Sequence, residues 1–478
     1  MNSPRSFDAS PFIAIWETTR ACALACVHCR AEAMPRRHPD ELTTGEAKRL
    51  IDRVRAFGDP PPLLVFTGGD PLRRPDIVEL VSYASSRGLI ASLTPSGTAA
   101  VTEDKLLAVR DAGLARLAAS LDGATADTHD NFRGVRGSHA YTMRIVERAR
   151  RLGLPLQINT TVCHRTAGDL PALAEQMRDF GVVLWALFFL IPVGRAQPDQ
   201  ALSATEIEEI LEWAADLAAR APFGVKTTEA PQYHRVLASR AAKWRAPTSV
   251  LRAGRAVTDG NGFVFIDHLG EICPSGFLPV SAGNVRRDDL VTVYREAPLF
   301  RALRDPSRLG GRCGRCEYRE GCGGSRARAH AATGDPLTED PGCAYAPLGG
   351  GAGAEIAVIA GASDALLAAG AGQVAVASAP ELAATPRAVV TASQVIDALR
   401  SVVDPELGIS IVDLGLVYGI AVDGGVVHVT MTLTAPGCPI HEVMPQWVQE
   451  AVGRIPGVER VDVTLTFDPP WTPDRIAR

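Results

Sequence analysis

Three cysteines near the start of the chain, Cys22, Cys26 and Cys29, have the spacing C-x-x-x-C-x-x-C. Three thiolates can hold a four-iron four-sulfur cluster and leave one iron open to a substrate or cofactor, whereas a closed zinc site or an electron carrier takes four ligands. The triplet therefore predicts an iron-sulfur centre with an open coordination position. A zinc site or three unrelated buried thiols are the alternatives.

A second candidate element is the sequence Thr67-Gly68-Gly69-Asp70-Pro71, which follows an apolar run. Glycines allow the backbone to approach a ligand closely, and Asp70 could accept a hydrogen bond from a ligand ammonium group. An ordinary tight turn is the alternative for such a sequence.

Further polar or small residues follow other apolar runs, where hydroxyls and carboxylates either contact a ligand or cap a helix. A histidine, His28, lies inside the cysteine triplet, and a fourth ligand there would block the open iron. Arginines could pair with substrate carboxylates. The candidate contact residues are Ser96, Ser120, Asp122, Asn159 and Gly194, and the arginines are Arg133, Arg136, Arg195, Arg326 and Arg328.

The elements that must position these residues alternate between apolar β-forming runs and helical patterns, which predicts β-α units and a parallel sheet. The fold class is α/β, with six strands forming an open, partial (β/α)6 barrel. In such barrels the loops after the strands carry the function. The predicted strands are residues 12–16, 63–67, 89–94, 114–121, 156–162 and 182–190.

A second cysteine-rich region contains Cys313, Cys316, Cys322 and Cys343, which together supply four thiolates. Four thiolates can close one iron-sulfur cluster, and a structural zinc site is the alternative. Cys273, after a predicted hairpin, is an additional candidate ligand.

The chain ends in a small domain with the predicted order α-β-β-α-β, preceded by a Gly- and Ala-rich segment that is typical of a linker. In this domain Cys438 lies at a strand-to-helix turn, where a helix N-terminus lowers the pKa of a thiol. Cys438 is therefore a candidate for transient metal binding, and a packed thiol is the alternative.

Length and composition limit the function classes. The 478 residues suffice for about three domains. The predicted domains are a barrel at 1–200, a helical connection at 201–255, an auxiliary cysteine domain at 256–347, a linker at 348–388 and a small domain at 389–478. The net charge of -5 and the mixed charge distribution give no indication of nucleic acid or a membrane surface as a partner. We expect a cytoplasmic protein, because no secretory signal or membrane span is recognisable.

These motifs resemble the radical S-adenosylmethionine (SAM) superfamily. The resemblance rests on the cysteine triplet, on Gly68 to Pro71 as the family's G-G-E-P element with Asp70 in place of Glu, and on the Ser120 to Gly123 segment. It implies that Cys22, Cys26 and Cys29 hold a four-iron cluster that binds SAM. It also implies SAM contacts by Gly68, Gly69, Asp70, Pro71 and the candidate contact residues.

The second cysteine region resembles the auxiliary-cluster extension called SPASM or twitch, which implies one auxiliary four-iron cluster. The small domain resembles iron-sulfur assembly domains of the SUF and phenylacetate-oxygenase maturation type. The subgroup that the barrel resembles lies near haem-maturation enzymes, and this implies hydrogen abstraction from a tetrapyrrole side chain. Modification of a ribosomal peptide and a non-catalytic iron-sulfur carrier are the alternatives. The implied partners are a flavodoxin- or ferredoxin-type reductant and iron-sulfur assembly proteins.

Overall fold

The computed structural model describes residues 7–243, 256–348, 390–402, 410–423, 425–433, 444–469, 471 and 475. Consecutive strands lie side by side in chain order, and each is parallel to the next. This arrangement confirms the α/β class and the six predicted strands of an open barrel. The strands are β1 Ile13–Glu17, β2 Leu63–Thr67, β3 Ala91–Leu93, β4 Arg116–Ser120, β5 Leu156–Val162, β6 Leu184–Phe189 and β7 Gly224–Thr228.

Helices connect these strands and cover the sheet. The helix after the cysteine loop begins with the predicted capping box, in which the Thr43 side chain accepts from the Glu46 N–H and the Glu46 carboxylate accepts from the Thr43 N–H at 2.8 Å. Its apolar face packs into the main core. The helices are α1 Thr44–Arg55, α2 Ile77–Ser86, α3 Glu103–Asp111, α4 Ala126–Arg133, α5 Ser138–Arg151, α6 Leu170–Phe180, α7 Ala204–Ala218 and α8 Gln232–Lys243. None of the helices in the described ranges is long and apolar enough to cross a membrane.

The sequence predicts that residues 201–255 form a helical connection. They also contain a seventh parallel strand, β7, between α7 and α8. The sequence Lys226-Thr227-Thr228 has no alternation of apolar and polar residues. Pairing with β6, from Leu184 opposite Gly224 onward, makes it a strand. Pairing with a neighbouring strand therefore determines that these residues form a strand, and their local sequence pattern does not.

The auxiliary cysteine region continues the same sheet at its other edge. Strand β8, Phe263–Ile266, runs parallel to β1, and it forms a hairpin with β9, Glu271–Cys273. This hairpin places Cys273 beside the barrel. The remaining elements are β10 Gly283–Asn284, α9 Leu290–Glu296, α10 Pro298–Arg304, α11 Gly311–Gly314 and α12 Arg326–Thr333.

The C-terminal residues form a separate three-stranded sheet in the order β11-β12-β13, with a core of its own. The alternating residues Val427, Val429, Met431 and Leu433 are buried, as the period-two pattern predicts. The elements are α13 Ala392–Leu399, β11 Val417–Asp423, β12 Val426–Met431, α14 Met444–Gly453 and β13 Arg460–Leu465. The α-β-β-α-β order is confirmed. Cys438 and most of the predicted linker lie outside the described residues.

Candidate functional site

A cavity of about 210 Å³ opens at the carboxyl ends of β1 to β6. The C-terminal edge of a parallel sheet is where loops from several strands converge, so residues that are distant in sequence share one wall. Cysteine, glycine, hydroxyl, amide, arginine and aromatic side chains line it. The lining includes Cys22, Cys26, His28, Cys29, Arg30, Gly68, Gly69, Ser96, Ser120, Arg133, Asn159, Thr161, Phe188, Arg195 and Phe277.

The three cysteines of the first motif lie together on this wall. Backbone N–H groups point at two of the sulfurs: Leu24 donates to Cys22 at 3.3 Å, and Ala33 donates to Cys29 at 3.4 Å. Burial raises the pKa of the Cys22 and Cys26 thiols. Thiols bind a metal only after they lose their proton. Because the protein alone does not stabilise these thiolates, a bound metal must do so.

Among the described residues, no group of three His, Cys, Asp or Glu side chains is arranged to hold one metal ion. A closed zinc site gathers its ligands around a single ion, whereas the thiolates of a four-iron cluster each bind a different iron and stand further apart. Three thiols on one cavity wall match the number of protein ligands that a four-iron cluster with one open iron requires.

Gly68 and Gly69 form part of the wall because they lie directly against the chain that leads into the cysteine loop. The Gly69 N–H donates to the Thr19 carbonyl at 2.7 Å. A Cβ atom on Gly69 would lie 2.6 Å from the Arg20 carbonyl oxygen, and one on Gly68 would lie 2.4 Å from that of Thr19. The glycines thus allow two ligand-facing loops to pack together.

Asp70 lies behind this wall and does not face the cavity. Its carboxylate accepts hydrogen bonds from the Leu72 N–H and the Thr98 hydroxyl, both at 3.2 Å, and caps the short turn that begins at Pro71. Pro71 is likewise buried. A hydrogen bond from a ligand ammonium group to the Asp70 carboxylate stays a prediction. Asp70 also supports Ser96, whose hydroxyl donates to the Gly69 carbonyl at 2.6 Å.

Asp122 is also behind the wall, where it forms a buried ion pair with Arg133. Burial tends to raise the pKa of Asp122, but Arg133 outweighs that effect and holds the pKa below its ordinary value. Arg133 lines the cavity and donates to the Cys26 sulfur at 3.8 Å. Asp122 therefore positions Arg133, and its neighbours Ser120 and Asn159 reach the cavity directly.

His28 stacks on Phe132, with ring centroids 4.1 Å apart and planes within 8°. Burial, together with the positive charge of Arg133, lowers the pKa of His28 to about 3, so the ring is neutral. It contributes a flat aromatic face to the cavity wall.

Gly194, in the loop after β6, lies directly against the backbone of the cysteine loop. Its φ of +63° is in the left-handed region, and a Cβ there would lie 2.5 Å from the carbonyl oxygens of both Cys29 and Arg30. The next N–H, of Arg195, donates to the Cys29 carbonyl at 3.1 Å. Gly194 is thus placed to fix the loop.

The four auxiliary cysteines form a second group. The Asp340 N–H donates to the Cys313 sulfur at 3.4 Å, and the Arg326 guanidinium donates to the same sulfur at 3.6 Å. Burial raises the pKa of Cys322, and the negative charges of Cys343 and Cys313 raise it further, which places these thiols close together. Burial also raises the pKa of Cys316 and Cys343.

Cys273 belongs to a different environment, at the end of β9. Burial raises the pKa of Cys273 to about 12, and its acidic neighbours Asp267 and Glu271 add to the effect. The positive charge of Arg30, which follows Cys29, lowers the pKa of Cys273 and so opposes part of this effect. The segment after Cys273 lies beside the first cysteine loop, because Arg30 Nη1 donates to the Gly276 carbonyl at 3.4 Å.

The arginines named as candidate substrate contacts divide into three groups. Arg326 donates to the carbonyls of Pro336 and Thr338, and Arg328 pairs with buried Asp340. Both guanidinium groups are therefore engaged within the auxiliary region. Arg136 is exposed, whereas Arg133 and Arg195 line the cavity. Arg30, which the sequence analysis did not identify, also lines it and pairs with Glu17 at 2.7 Å.

Comparison with known proteins gives two family matches. Residues 16–177 match the radical SAM superfamily, and residues 392–464 match the iron-sulfur cluster assembly protein family. An AdoMet-dependent heme synthase from Methanosarcina barkeri is 40% identical over 343 residues, which cover 71% of this chain and 97% of that protein. A mycofactocin maturase, MftC, from Mycobacterium ulcerans is 32% identical, covering 70% of this chain and 88% of the relative.

Among solved structures, Streptococcus suis SuiB bound to S-adenosylmethionine superposes with a TM-score of 0.56 at 15% identity, covering 70% of this chain and 78% of that one. This likeness concerns the fold alone. More than a quarter of the present chain has no counterpart in the heme synthase. The chain belongs to the radical SAM superfamily of enzymes, and within it to the family that contains the AdoMet-dependent heme synthases.

Proposed function

We propose that the protein removes carboxylate groups from propionate side chains of an iron-containing tetrapyrrole, using SAM and two four-iron clusters. The observation that carries the proposal is one cavity that combines three cysteine thiols, aromatic faces and arginines on the fold of the heme synthase relatives. Cys22, Cys26 and Cys29 are the residues that would hold the SAM-binding cluster. With SAM bound there, one-electron reduction supplies a 5'-deoxyadenosyl radical that takes one hydrogen atom from the substrate.

The cavity residues then have separate tasks. The backbone of Gly68 and Gly69, with Ser96, Ser120 and Asn159, lines the region where SAM would bind, and Asp70, Pro71, Asp122 and Gly194 hold that wall in place. His28, Phe188 and Phe277 present aromatic faces that suit flat rings.

The overall reaction balances if the substrate also gives up an electron. Loss of one hydrogen atom from the propionate carbon next to the ring, followed by loss of CO2 and one electron, leaves a vinyl group. Cys313, Cys316, Cys322 and Cys343 are the residues that would hold the one auxiliary cluster, and such a cluster would supply an acceptor for this electron. A flavodoxin or ferredoxin would reduce the first cluster, and iron-sulfur assembly proteins are the expected partners in loading. These needs place the protein in a reducing compartment such as the cytoplasm.

The test is anaerobic reconstitution with iron counting, followed by incubation with SAM, a chemical reductant and either an iron coproporphyrin or a candidate precursor peptide. We expect 5'-deoxyadenosine and loss of CO2 from the porphyrin. A mass change in the peptide and none in the porphyrin would assign the maturase reaction instead. The absence of 5'-deoxyadenosine from fully loaded protein would leave only a carrier role.

Matched cysteine variants complete the test. Cys22→Ala removes a thiol from the cavity wall and should abolish 5'-deoxyadenosine formation. Cys163→Ala removes a buried thiol that bonds Thr166 and does not line the cavity, and it should retain the activity.

A further inference from the structure

The cavity is lined by three arginines, and within the described lining no Asp or Glu side chain faces them. Two of the three have carboxylate partners outside the cavity: Arg30 pairs with Glu17, and Arg133 pairs with Asp122. These pairs neutralise two of the positive charges before any ligand binds. The third arginine, Arg195, differs from them.

Arg195 is held in place but is not neutralised. Its backbone N–H donates to the Cys29 carbonyl, and its Nη1 donates to the Ala33 carbonyl at 3.4 Å. Its Nε and Nη2 atoms are buried and have no hydrogen-bond partner among the described residues. A buried charged donor without a partner is costly, so such a group is expected to be satisfied by something that binds there.

The two unsatisfied atoms define the kind of ligand. Nε and Nη2 lie on one side of the planar guanidinium, and their N–H groups form the fork that matches the two oxygens of a carboxylate. A lysine could not reproduce this, because its ammonium group acts as a point charge. The lining supplies no carboxylate, so the complementary anion comes from a ligand.

We propose that Arg195 binds a ligand carboxylate in this cavity through Nε and Nη2. Two sources of this carboxylate are compatible with the site: the methionyl carboxylate of SAM and a propionate of the tetrapyrrole. The second source rests on the function proposed above, and the first does not.

The experiment compares wild type, Arg195→Gln and Arg195→Lys after reconstitution, with Arg36→Gln as a control for an exposed arginine near the same loop. Iron content and cluster absorption are measured first. Binding is then measured for two matched pairs of ligands: SAM and decarboxylated SAM, and iron coproporphyrin and its methyl ester. Each pair differs only in the carboxylate.

We expect Arg195→Gln to weaken binding of one carboxylate ligand by about tenfold or more and to leave binding of its carboxylate-free analogue unchanged. The pair that shows this difference identifies the source. Arg195→Lys should also lose most of the preference for the carboxylate ligand over its analogue, since lysine keeps the charge but lacks the paired N–H donors. Arg36→Gln should bind all four ligands as wild type does.

Two results would overturn the proposal. One is retention of both carboxylate preferences in Arg195→Gln at full iron content. The other is loss of the cluster in both Arg195 variants, since the side chain would then serve the cysteine loop alone. Failure of wild-type protein to bind the porphyrin would count against the proposed function, but the SAM pair would still test Arg195.

Discussion

At the scale of single residues, Glu229 is an acid in an unusual setting. It follows the last residue of β7 and has a φ of +61°, a conformation that few residues other than glycine adopt. Its carboxyl accepts from the Ser325 hydroxyl at 2.6 Å, and its backbone carbonyl accepts from Arg328 at 2.6 Å. Glu229 therefore ties the end of β7 to α12 of the auxiliary region.

Glu229 also faces a second buried carboxyl, that of Asp259. Burial, and then the negative charge of Asp259, raise the pKa of Glu229 well above its ordinary value. The Oδ1 atom of Asp259 accepts no hydrogen bond from other described groups, so a protonated Glu229 is the donor that satisfies it. Glu229 therefore keeps its proton, which it shares with Asp259 in a hydrogen bond, to a higher pH than an exposed glutamate, since like charges in contact cannot both ionise without cost.

This shared proton gives a pH dependence whose sign can be stated. A group whose pKa is raised on folding stabilises the protein fully below its unfolded pKa, and that stabilisation is lost as the pH rises through the folded pKa. Between about pH 5 and pH 9 the melting temperature of wild type should therefore fall more than that of Glu229→Gln, because the amide donates at every pH. Thermal melts of reconstituted protein measure both curves.

The control is Glu209→Gln, which changes an exposed acid on α7 and should follow the wild-type curve. If Glu229→Gln also follows that curve, the shared proton does not exist. Nothing in the local sequence indicates this pair, because Glu229 and Asp259 lie on separate elements and meet only in the folded chain.

At the scale of elements, the sequence predicts those helices and strands whose formation depends on residues close together in the chain. The capping boxes at Thr43 and Ser203 and the apolar runs of β1 to β6 depend on residues a few positions apart, and the structure contains them. Strand β7 forms because it pairs with the edge of β6. Its own polar sequence therefore does not predict a strand. The direction of the Asp70 carboxylate likewise depends on a residue distant in sequence, Thr98 from the loop after β3, so the local sequence does not indicate it.

The junction of β6 with the cysteine loop yields a test with a close control. Gly194 and Gly181 have φ values of +63° and +65°, but only Gly194 lies against other backbone, since nothing stands within 4 Å of a Cβ on Gly181. Gly181→Ala should therefore cost only the backbone strain, about 1 kcal/mol. Gly194→Ala adds a clash with the Cys29 and Arg30 carbonyls, and it should displace the loop that carries the first cluster.

The measurements are the melting temperature and the iron bound per chain after reconstitution. We expect a larger loss of iron in Gly194→Ala than in Gly181→Ala, with the four auxiliary cysteines still loaded. Equal iron content in the two variants would show that contact with Gly194 does not fix the loop.

At the scale of the whole molecule, the described residues form one large sheet and one small one. Residues of the large sheet and its loops supply the whole described lining of the cavity and the four auxiliary cysteines. The small sheet and its helices bury apolar side chains, from Val390 to Val452, in a second hydrophobic cluster, against which Phe12 and Ile90 also pack. Since the heme synthase relative is matched over nearly its full length by less than three quarters of this chain, the radical chemistry should not require the additional part.

Cys438 is the residue on which a loading role of the small domain would depend, and we expect Cys438→Ser in the full chain to separate loading from catalysis. Protein purified without reconstitution should contain less iron than wild type, because a transient thiolate ligand is missing. After chemical reconstitution to equal iron content, 5'-deoxyadenosine formation should be the same within about twofold, since the described lining of the cavity comes from other parts of the chain. Cys163→Ala serves as the control for loss of a thiol. Slower turnover at equal iron content would instead give the small domain a part in the reaction itself.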